Sequence, residues 1–394
     1  MRRAAIITAL VCLTPVVSHS IGRSLYGLML VATEDDLGLT HGEAGVPSAA
    51  IFVFYCAGVL AVVLFSPRVE PISIMRAALI TAGVGTVITA QASNLIVLAV
   101  GVGLVGGAGA GIWMTAPVLA TAFVSAERRG LVIGFLTSTI GLANVGAGLL
   151  LNALRRSTGD PMLWRPMWWI ALAFIATLLV GLATLARFPP SDRVATRGLD
   201  LAILRQVPRW KRLTIAYALF GGMSAGFGSF IVAALEEHGG LSSERSALTF
   251  SLMGVAAMVA SPLAGAASDR FGRPIVLHSA LGVLAIANIA VAIGGALPTT
   301  VGALLVSAGA STFPTLIATV VRDSLDQRAF SQALAMMTLL FSVTAAALPP
   351  IVGAIADATG SFRWPYLVVA VFPVAALATL VAPSSPETAN PAIT

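Results

Sequence analysis

His19, Arg23 and Tyr26 stand at positions i, i+4 and i+7 inside an otherwise apolar stretch, residues 4–31. On a helix that spacing places all three on one face. A guanidinium fork binds a carboxylate or phosphate through two parallel hydrogen bonds, a phenol adds a hydroxyl donor, and an imidazole exchanges a proton near neutral pH. Together they form an anion-recognition set beside a proton carrier, and that face is expected to line a wet cavity. The plainer alternatives are that Arg23 snorkels or satisfies carbonyls at a helix contact, that His19 is only hydrogen-bonded, and that Tyr26 packs.

None of the 17 Asp and Glu residues lies near the middle of an apolar stretch. A buried carboxylate whose proton affinity changes with access is the simplest proton-coupling device. In its absence His19 is the interior proton carrier, and uniport or anion exchange stays open. Asp36 and Asp357, at the outer ends of their stretches, read by default as exposed loop acids, with pairing to arginines or closure of an outer gate as the alternative. Trp113, Asn144, Tyr217, Ser224, Phe227, Ser311 and Thr315 are further candidates for the cavity wall, with helix packing the default for the small and hydroxyl residues. Asn144 leads that group, because a buried amide needs several partners.

Chemistry of other kinds has no support. The sequence has no phosphate-binding Gly-rich loop, no nucleophile elbow, no His-Glu-x2-His and no Cys/His metal spacing. Cys12 and Cys56 both sit in apolar stretches, where a thiol behaves as a small hydrophobe. No cofactor, metal or enzymatic activity is expected.

The elements that must carry these residues follow from composition. With 57% apolar and 10% charged residues and a mean hydropathy of +0.93, the chain has too little polar surface to cover a water-soluble globule of its length. A bilayer core takes about 20 mainly apolar residues per helix. The sequence offers twelve such spans, near 4–31, 45–65, 74–92, 95–123, 130–154, 164–187, 212–235, 246–267, 274–295, 297–321, 329–356 and 363–382. The expected fold is an all-α polytopic membrane protein with six-helix bundles at 1–190 and 212–394, joined by a polar, Arg-rich linker at 191–211. Arg2, Arg3, the apolar run to Val17 and the small residues Ser18 and Ser20 also suit a signal peptide, but the apolar pattern continues to Val31, beyond the usual length of one.

Of 23 Lys and Arg residues, 17 fall on the side of the N-terminus, five on the opposite side, and one, Arg23, inside a span. The positive-inside rule then puts both termini in the cytoplasm and the chain in the cytoplasmic membrane as a multi-pass protein. The net charge of +6 serves orientation, and no nucleic-acid partner is expected.

Shifting the chain by 202 residues lays Glu34-Asp35 on Glu236-Glu237, Gly38-Leu39-Thr40 on Gly240-Leu241-Ser242, and Arg68 on Arg270. A six-helix shift preserves orientation, so the halves read as a parallel repeat with a site near the midplane between them.

Gly265-x3-Asp269-Arg270-x-Gly272-Arg273, between the eighth and ninth spans, resembles the signature loop of the major facilitator superfamily, which usually carries another basic residue where Pro274 stands. Here Gly265 is expected to let two helices approach and Gly272 to permit the tight turn. The resemblance implies that Asp269 helps latch the cytoplasmic side through charged partners and a helix N-terminus, with Arg322 and the start of the fifth span as candidates. Arg270, Arg273, Arg68, Arg128 and Arg129 join it as gating residues. The first-half counterpart, Ser66-Pro67-Arg68-Val69-Glu70-Pro71, lacks the Asp and both glycines, so the latch should be lopsided. Glu127-Arg128-Arg129-Gly130 is similar to the superfamily's Arg-Gly after helix 4, and Pro350-x2-Gly353-x3-Asp357-x2-Gly360 resembles the end of helix 11 in organic-anion transporters. Gly22-Arg23-Ser24-Leu25-Tyr26 looks like the Gly-Arg-Phe-x-Tyr stretch of an uncharacterised bacterial branch. The Gly-Pro element typical of helix 5 in drug antiporters is missing.

The resemblance implies a monomeric secondary transporter working by alternating access on a small organic solute, with the lipid bilayer as its surroundings; Arg23 points to an anionic solute, and a proton or a counter-anion stays open as the coupling partner. Efflux of an amphipathic metabolite or antibiotic is the alternative.

Overall fold

The computed structural model describes residues 2–125, 128–160, 162–184 and 201–382. Twelve helices in it are long and apolar enough to cross a membrane. We number them α1 (Arg3–Leu37), α2 (His41–Phe65), α3 (Pro71–Ala90), α4 (Leu95–Thr121), α5 (Arg129–Thr158), α6 (Trp164–Thr184), α7 (Trp210–His238), α8 (Ser243–Phe271), α9 (Arg273–Ile293), α10 (Ala296–Ser324), α11 (Gln332–Thr359) and α12 (Arg363–Val381). No strand occurs among the described residues. Much of the predicted linker, residues 191–200, lies outside the described residues, as does Glu127; Leu201–Leu204 is a short helical turn. The first helix runs six residues past its predicted end, because Glu34, Asp35 and Asp36 are taken into its last turns.

We call the side bearing the Arg68 and Arg270 loops the near face, and the side bearing residues 38–40 and 239–242 the far face. The repeat is visible in the far-face turns. Gly38 and Gly240 both adopt left-handed conformations, with φ of 62° and 68°, which a Cβ would strain. Two residues on, Thr40 and Ser242 cap the next helices, accepting hydrogen bonds from the backbone N–H of Glu43 at 3.3 Å and of Arg245 at 3.4 Å. Glu43 returns the bond to Thr40 N–H at 3.0 Å, completing a capping box.

The same 202-residue offset governs how the first six helices meet the last six at this face. Asp357 of α11 accepts hydrogen bonds from the backbone N–H groups of His41 and Gly42 at 3.0 and 2.8 Å. At the equivalent positions Arg155 of α5 donates to the Ser243 carbonyl at 3.0 Å. Gly45 lies so close to α11 that a Cβ would stand 2.6 Å from Pro350 Cα, and Gly148 so close to α8 that one would stand 2.5 Å from the Ala247 carbonyl. Positions 41 and 243, 45 and 247, 148 and 350, and 155 and 357 are each 202 apart. The far face is therefore closed by two quasi-equivalent joints, α2 on α11 and α5 on α8.

Toward the near face α5 and α8 part. Contact persists at Gly141, whose Cβ would run into Met258 Cγ, but Cβ atoms built at Gly130, Gly134 and Gly265 would meet nothing within 4 Å. Leu131, Phe135, Leu263 and Phe271 are exposed along these ends.

Asp36 is not a free loop acid. Its carboxylate takes the Arg165 guanidinium at 2.7 Å and Trp164 Nε1–H at 3.1 Å, tying α1 to α6. Both charges are about one-third exposed, and water screening holds such a pair to about 0–1 kcal/mol. Asp36→Asn should therefore lower the melting temperature of purified protein by only a few degrees, a fall of about 2–4 °C by comparison with domains of 150–250 residues. A collapse of folding would mean that this tie is worth more than an exposed pair.

Candidate functional site

The middle of α1 is not regular α-helix. Residues Val16–Ser24 wind as a π-helix after Pro15, and Leu25 N–H bonds Ser20 O, five residues back. Wider turns of this kind are frequent at functional sites, and this one changes which side chains share a face.

The Arg23 guanidinium lies over the rings of two α2 residues, 4.5 Å from Tyr55 and 5.5 Å from Phe52. It forms no ion pair among the described residues, and its Nε is buried without a hydrogen-bond partner. His19 packs on Trp113 of α4, with ring centroids 4.4 Å apart, and its Nδ1 meets the Ser18 hydroxyl at 2.8 Å. Ser20, one residue from His19, donates to Asn144 Oδ1 on α5. Arg23, His19, Trp113 and Asn144 are all partly exposed.

Tyr217 of α7 approaches the same region from the other six helices. Its ring is 5.1 Å from Phe341 of α11, which is 6.2 Å from Phe52. Phe220 extends this aromatic group, 6.3 Å from Tyr217 and 6.1 Å from Phe341. The assembly thus offers one cation and a polar edge of His19, Ser20 and Asn144, set against rings from α2, α4, α7 and α11. It can hold a negative group at Arg23 and an apolar body against the rings.

Other expected members stand elsewhere. Tyr26 does not share a wet face with Arg23. It is 1% exposed and donates to the Ala44 carbonyl of α2 at 2.9 Å, because the π-helical segment breaks the i, i+4, i+7 register. Phe227 is buried against Tyr366, 6.1 Å between centroids, and Ser224 donates within its own helix to Gly221 O at 3.0 Å. Ser311 donates to Ala257 O at 3.0 Å, joining α10 to α8. Thr315 is exposed and donates to Ser311 O at 3.0 Å.

Among the predicted gating residues, Asp269, Arg270, Arg128, Arg129 and Arg322 are exposed. Asp269 makes no ion pair among the described residues; the ion pair at this loop joins Arg273 to Asp323 at the end of α10. Arg68 donates to Leu64 O at 3.4 Å. Gly272 has φ +87° and makes the turn as expected, whereas Gly265 does not mediate a helix approach, since nothing lies within 4 Å of its Cβ position. Its neighbour α5 has already diverged at that level.

Sequence reasoning missed Phe52, Tyr55, Phe220, Phe341 and Ser20. One signal was present: Phe52 and Tyr55 form an i, i+3 pair in the middle of a span, and the chain has only four Tyr. It also passed over a far-face cluster in which His41 stands between Glu34 and Glu237, at 2.9 and 3.3 Å.

A family model described as Major Facilitator Superfamily matches residues 16–257 and 213–393. A probable transporter of Streptomyces coelicolor is 30% identical over 156 residues, 37% of this chain and 36% of that protein, so the match spans about a third of the curated relative. Among solved structures, the nucleoside transporter NupG superposes with a TM-score of 0.78 at 12% identity, over 97% of this chain and 100% of that one. A bacterial homolog of the human lysosomal transporter Spinster, inward-facing and unoccupied, gives 0.71 at 16% identity over 96% and 95%. FucP in its outward conformation gives 0.65 at 15% identity over 96% and 97%. At these identities the structural likeness is one of fold.

Proposed function

The chain belongs to the major facilitator superfamily, whose members are membrane transporters rather than enzymes, and from that premise we propose that it moves a small organic anion, held at Arg23, by alternating access. The observation that carries this reading is the state of Arg23: a cation within a membrane span that lies over the rings of Tyr55 and Phe52 and, among the described residues, has no carboxylate paired with it. An intramembrane charge is costly unless paired or hydrated, and such residues ordinarily pair within the protein. Here the counter-charge is the solute. Its carboxylate takes the guanidinium fork, His19 and Asn144 orient it, and the rings of Trp113, Tyr217 and Phe341 face its apolar body.

In this reading residues 1–190 rock against residues 212–394 about that site. The positive-inside rule supports a cytoplasmic near face in the cytoplasmic membrane. The Asp269-to-Arg273 loop, with Arg128, Arg129 and Arg322, would then govern closure of the near face, which is parted between α5 and α8 in this structure.

The test is a thermal-shift screen of the purified protein against mono- and dicarboxylates, sugars and amphipathic drugs, since a ligand stabilises the state it binds. Carboxylates should raise the melting temperature of the parent and not of Arg23→Gln. An equal shift in both proteins would overturn the role of Arg23. The aromatic wall also supports an amphipathic solute and hence the export reading. Accumulation in inverted rather than right-side-out vesicles would establish export.

A further inference from the structure

His41 is the first residue of α2 and sits where three carboxylates from three other helices converge. Its Nδ1 faces Glu34 Oε1 of α1 at 2.9 Å and its Nε2 faces Glu237 Oε2 of α7 at 3.3 Å. Asp357 of α11 is spent on the backbone N–H groups of His41 and Gly42. Glu43, on the same helix, is turned back to cap Thr40. The remaining ring neighbours are Phe362, at 5.0 Å between centroids, and Phe230, at 6.3 Å. No Lys or Arg among the described residues pairs with Glu34, Glu237 or Asp357.

Ionised carboxylates only accept hydrogen bonds, and a neutral imidazole has one N–H to give. With both ring nitrogens against carboxylates, one contact would set acceptor against acceptor. The closed joint is therefore satisfied by one additional proton, held as imidazolium, with Nδ1–H donating to Glu34 and Nε2–H to Glu237. If the far face opens, Glu237 withdraws with α7, Nε2 meets water, and the additional proton is no longer required. His41 and Glu237 are partly exposed, with side-chain accessibilities of 21% and 46%, so the proton can exchange with water at that face.

The quasi-equivalent joint works differently. The position 202 residues after His41 is Ser243, whose hydroxyl donates to Glu236 at 3.1 Å, and the cation there is Arg155, which carries its charge at every physiological pH. Of the two joints, only α2–α11 holds an imidazole among the described residues, whereas the acid of the α5–α8 joint, Glu236, meets a hydroxyl and a permanent cation. We infer that Glu34, His41 and Glu237 form a proton-binding latch, in which closure of the far face takes up a proton at His41 and opening releases it to the same side.

The inference rests on alternating access but not on an anion at Arg23, so it is tested without substrate. Cys12 and Cys56 are replaced by Ala, and spin labels are attached through Ser93→Cys, in the loop before α4, and Ala296→Cys, the first residue of α10, both exposed at the far face. Distances are measured in nanodiscs at about pH 6 and about pH 9, which bracket ordinary imidazole titration from below and well above. One linked proton changes the closed-to-open ratio by at most about tenfold per pH unit, and the parent should shift toward the long distance at the higher pH. Glu237→Gln presents an amide N–H to a neutral ring, so this variant should stay closed at both values. His41→Gln cannot take up the proton and should give one ratio at both.

A parent ratio that ignores pH, or a parent-like response in both variants, overturns the latch. Gly353→Val, which sets a side chain against the His41 carbonyl, serves as the wedged reference. If it gives the long distance while the parent ignores pH, only the latch is wrong; if it gives no second distance, alternating access at this face fails too.

Discussion

Replacing Arg23 with Gln is expected to abolish transport while leaving insertion and folding intact. A desolvated charge pair truncated on one side loses about 2–5 kcal/mol, which converts to roughly 30-fold to 4,000-fold in affinity. The loss should appear in kcat/KM for whichever carboxylate the thermal-shift screen selects, measured by uptake into proteoliposomes. Arg23→Lys should fall between, since Lys keeps the charge but gives up the planar fork and its stacking on Tyr55. Stability is expected to hold in both, because Arg23 forms no ion pair among the described residues and its removal orphans no buried carboxylate. Near-normal uptake by Arg23→Gln would sink the anion-binding role. A misfolded protein would show instead that Arg23 is a structural cation.

The second large effect is expected at Gly353, on the other side of the functional cycle. A Cβ there would collide with the backbone carbonyl of His41 and close on Gly42 N at 2.8 Å, and backbone has no rotamer by which to yield. Overpacking of this kind costs about 1–3 kcal/mol, occasionally more, but only in the state where α2 and α11 touch. Gly353→Val should therefore shift the closed-to-open ratio of the far face about 5-fold to 150-fold toward open and slow turnover by a similar factor. Gly146→Val is the matched control: it adds the same side chain in a membrane helix, but nothing lies within 4 Å of its Cβ position. Equal uptake by the two variants would mean that far-face closure does not limit the cycle.

The twelve helices could be read directly, because a bilayer demands runs of apolar residues long enough to satisfy every backbone group within the helix. The turn glycines could be read as well. Gly38 and Gly240 recur at the repeat offset with matching left-handed φ, and Gly272 makes its turn at φ +87°. Gly265 carried the same residue type in the same motif and has no neighbour for its Cβ position, since close approach depends on a second helix that local sequence does not specify.

The candidate site was half legible. Arg23 and His19 stand out because charge and titratable groups are rare inside spans. Tyr26 was assigned to their face by assuming a regular 3.6-residue helix, and the π-helix at Val16–Ser24 broke that assumption. For Asp36 and Asp357 the default was an exposed loop acid and the alternative a pairing with arginine or an outer gate; Asp36 holds Arg165, and Asp357 caps the start of α2 from 315 residues away in sequence. Both partners are remote in the chain, so composition could not reveal them.

Sequence alone determined that the chain spans a membrane twelve times and carries one cation inside a span, with its far-face turns repeated at 202 residues. Each of these is fixed by residue type and spacing along the chain. Only tertiary structure decided that Arg23 rests on Tyr55 and Phe52 with no carboxylate paired to it among the described residues, that the repeated positions 41, 155, 243 and 357 close one face as two joints, and that His41 stands between two acids. Those facts depend on which helices meet and at what height, and distance along a chain does not record distance across it.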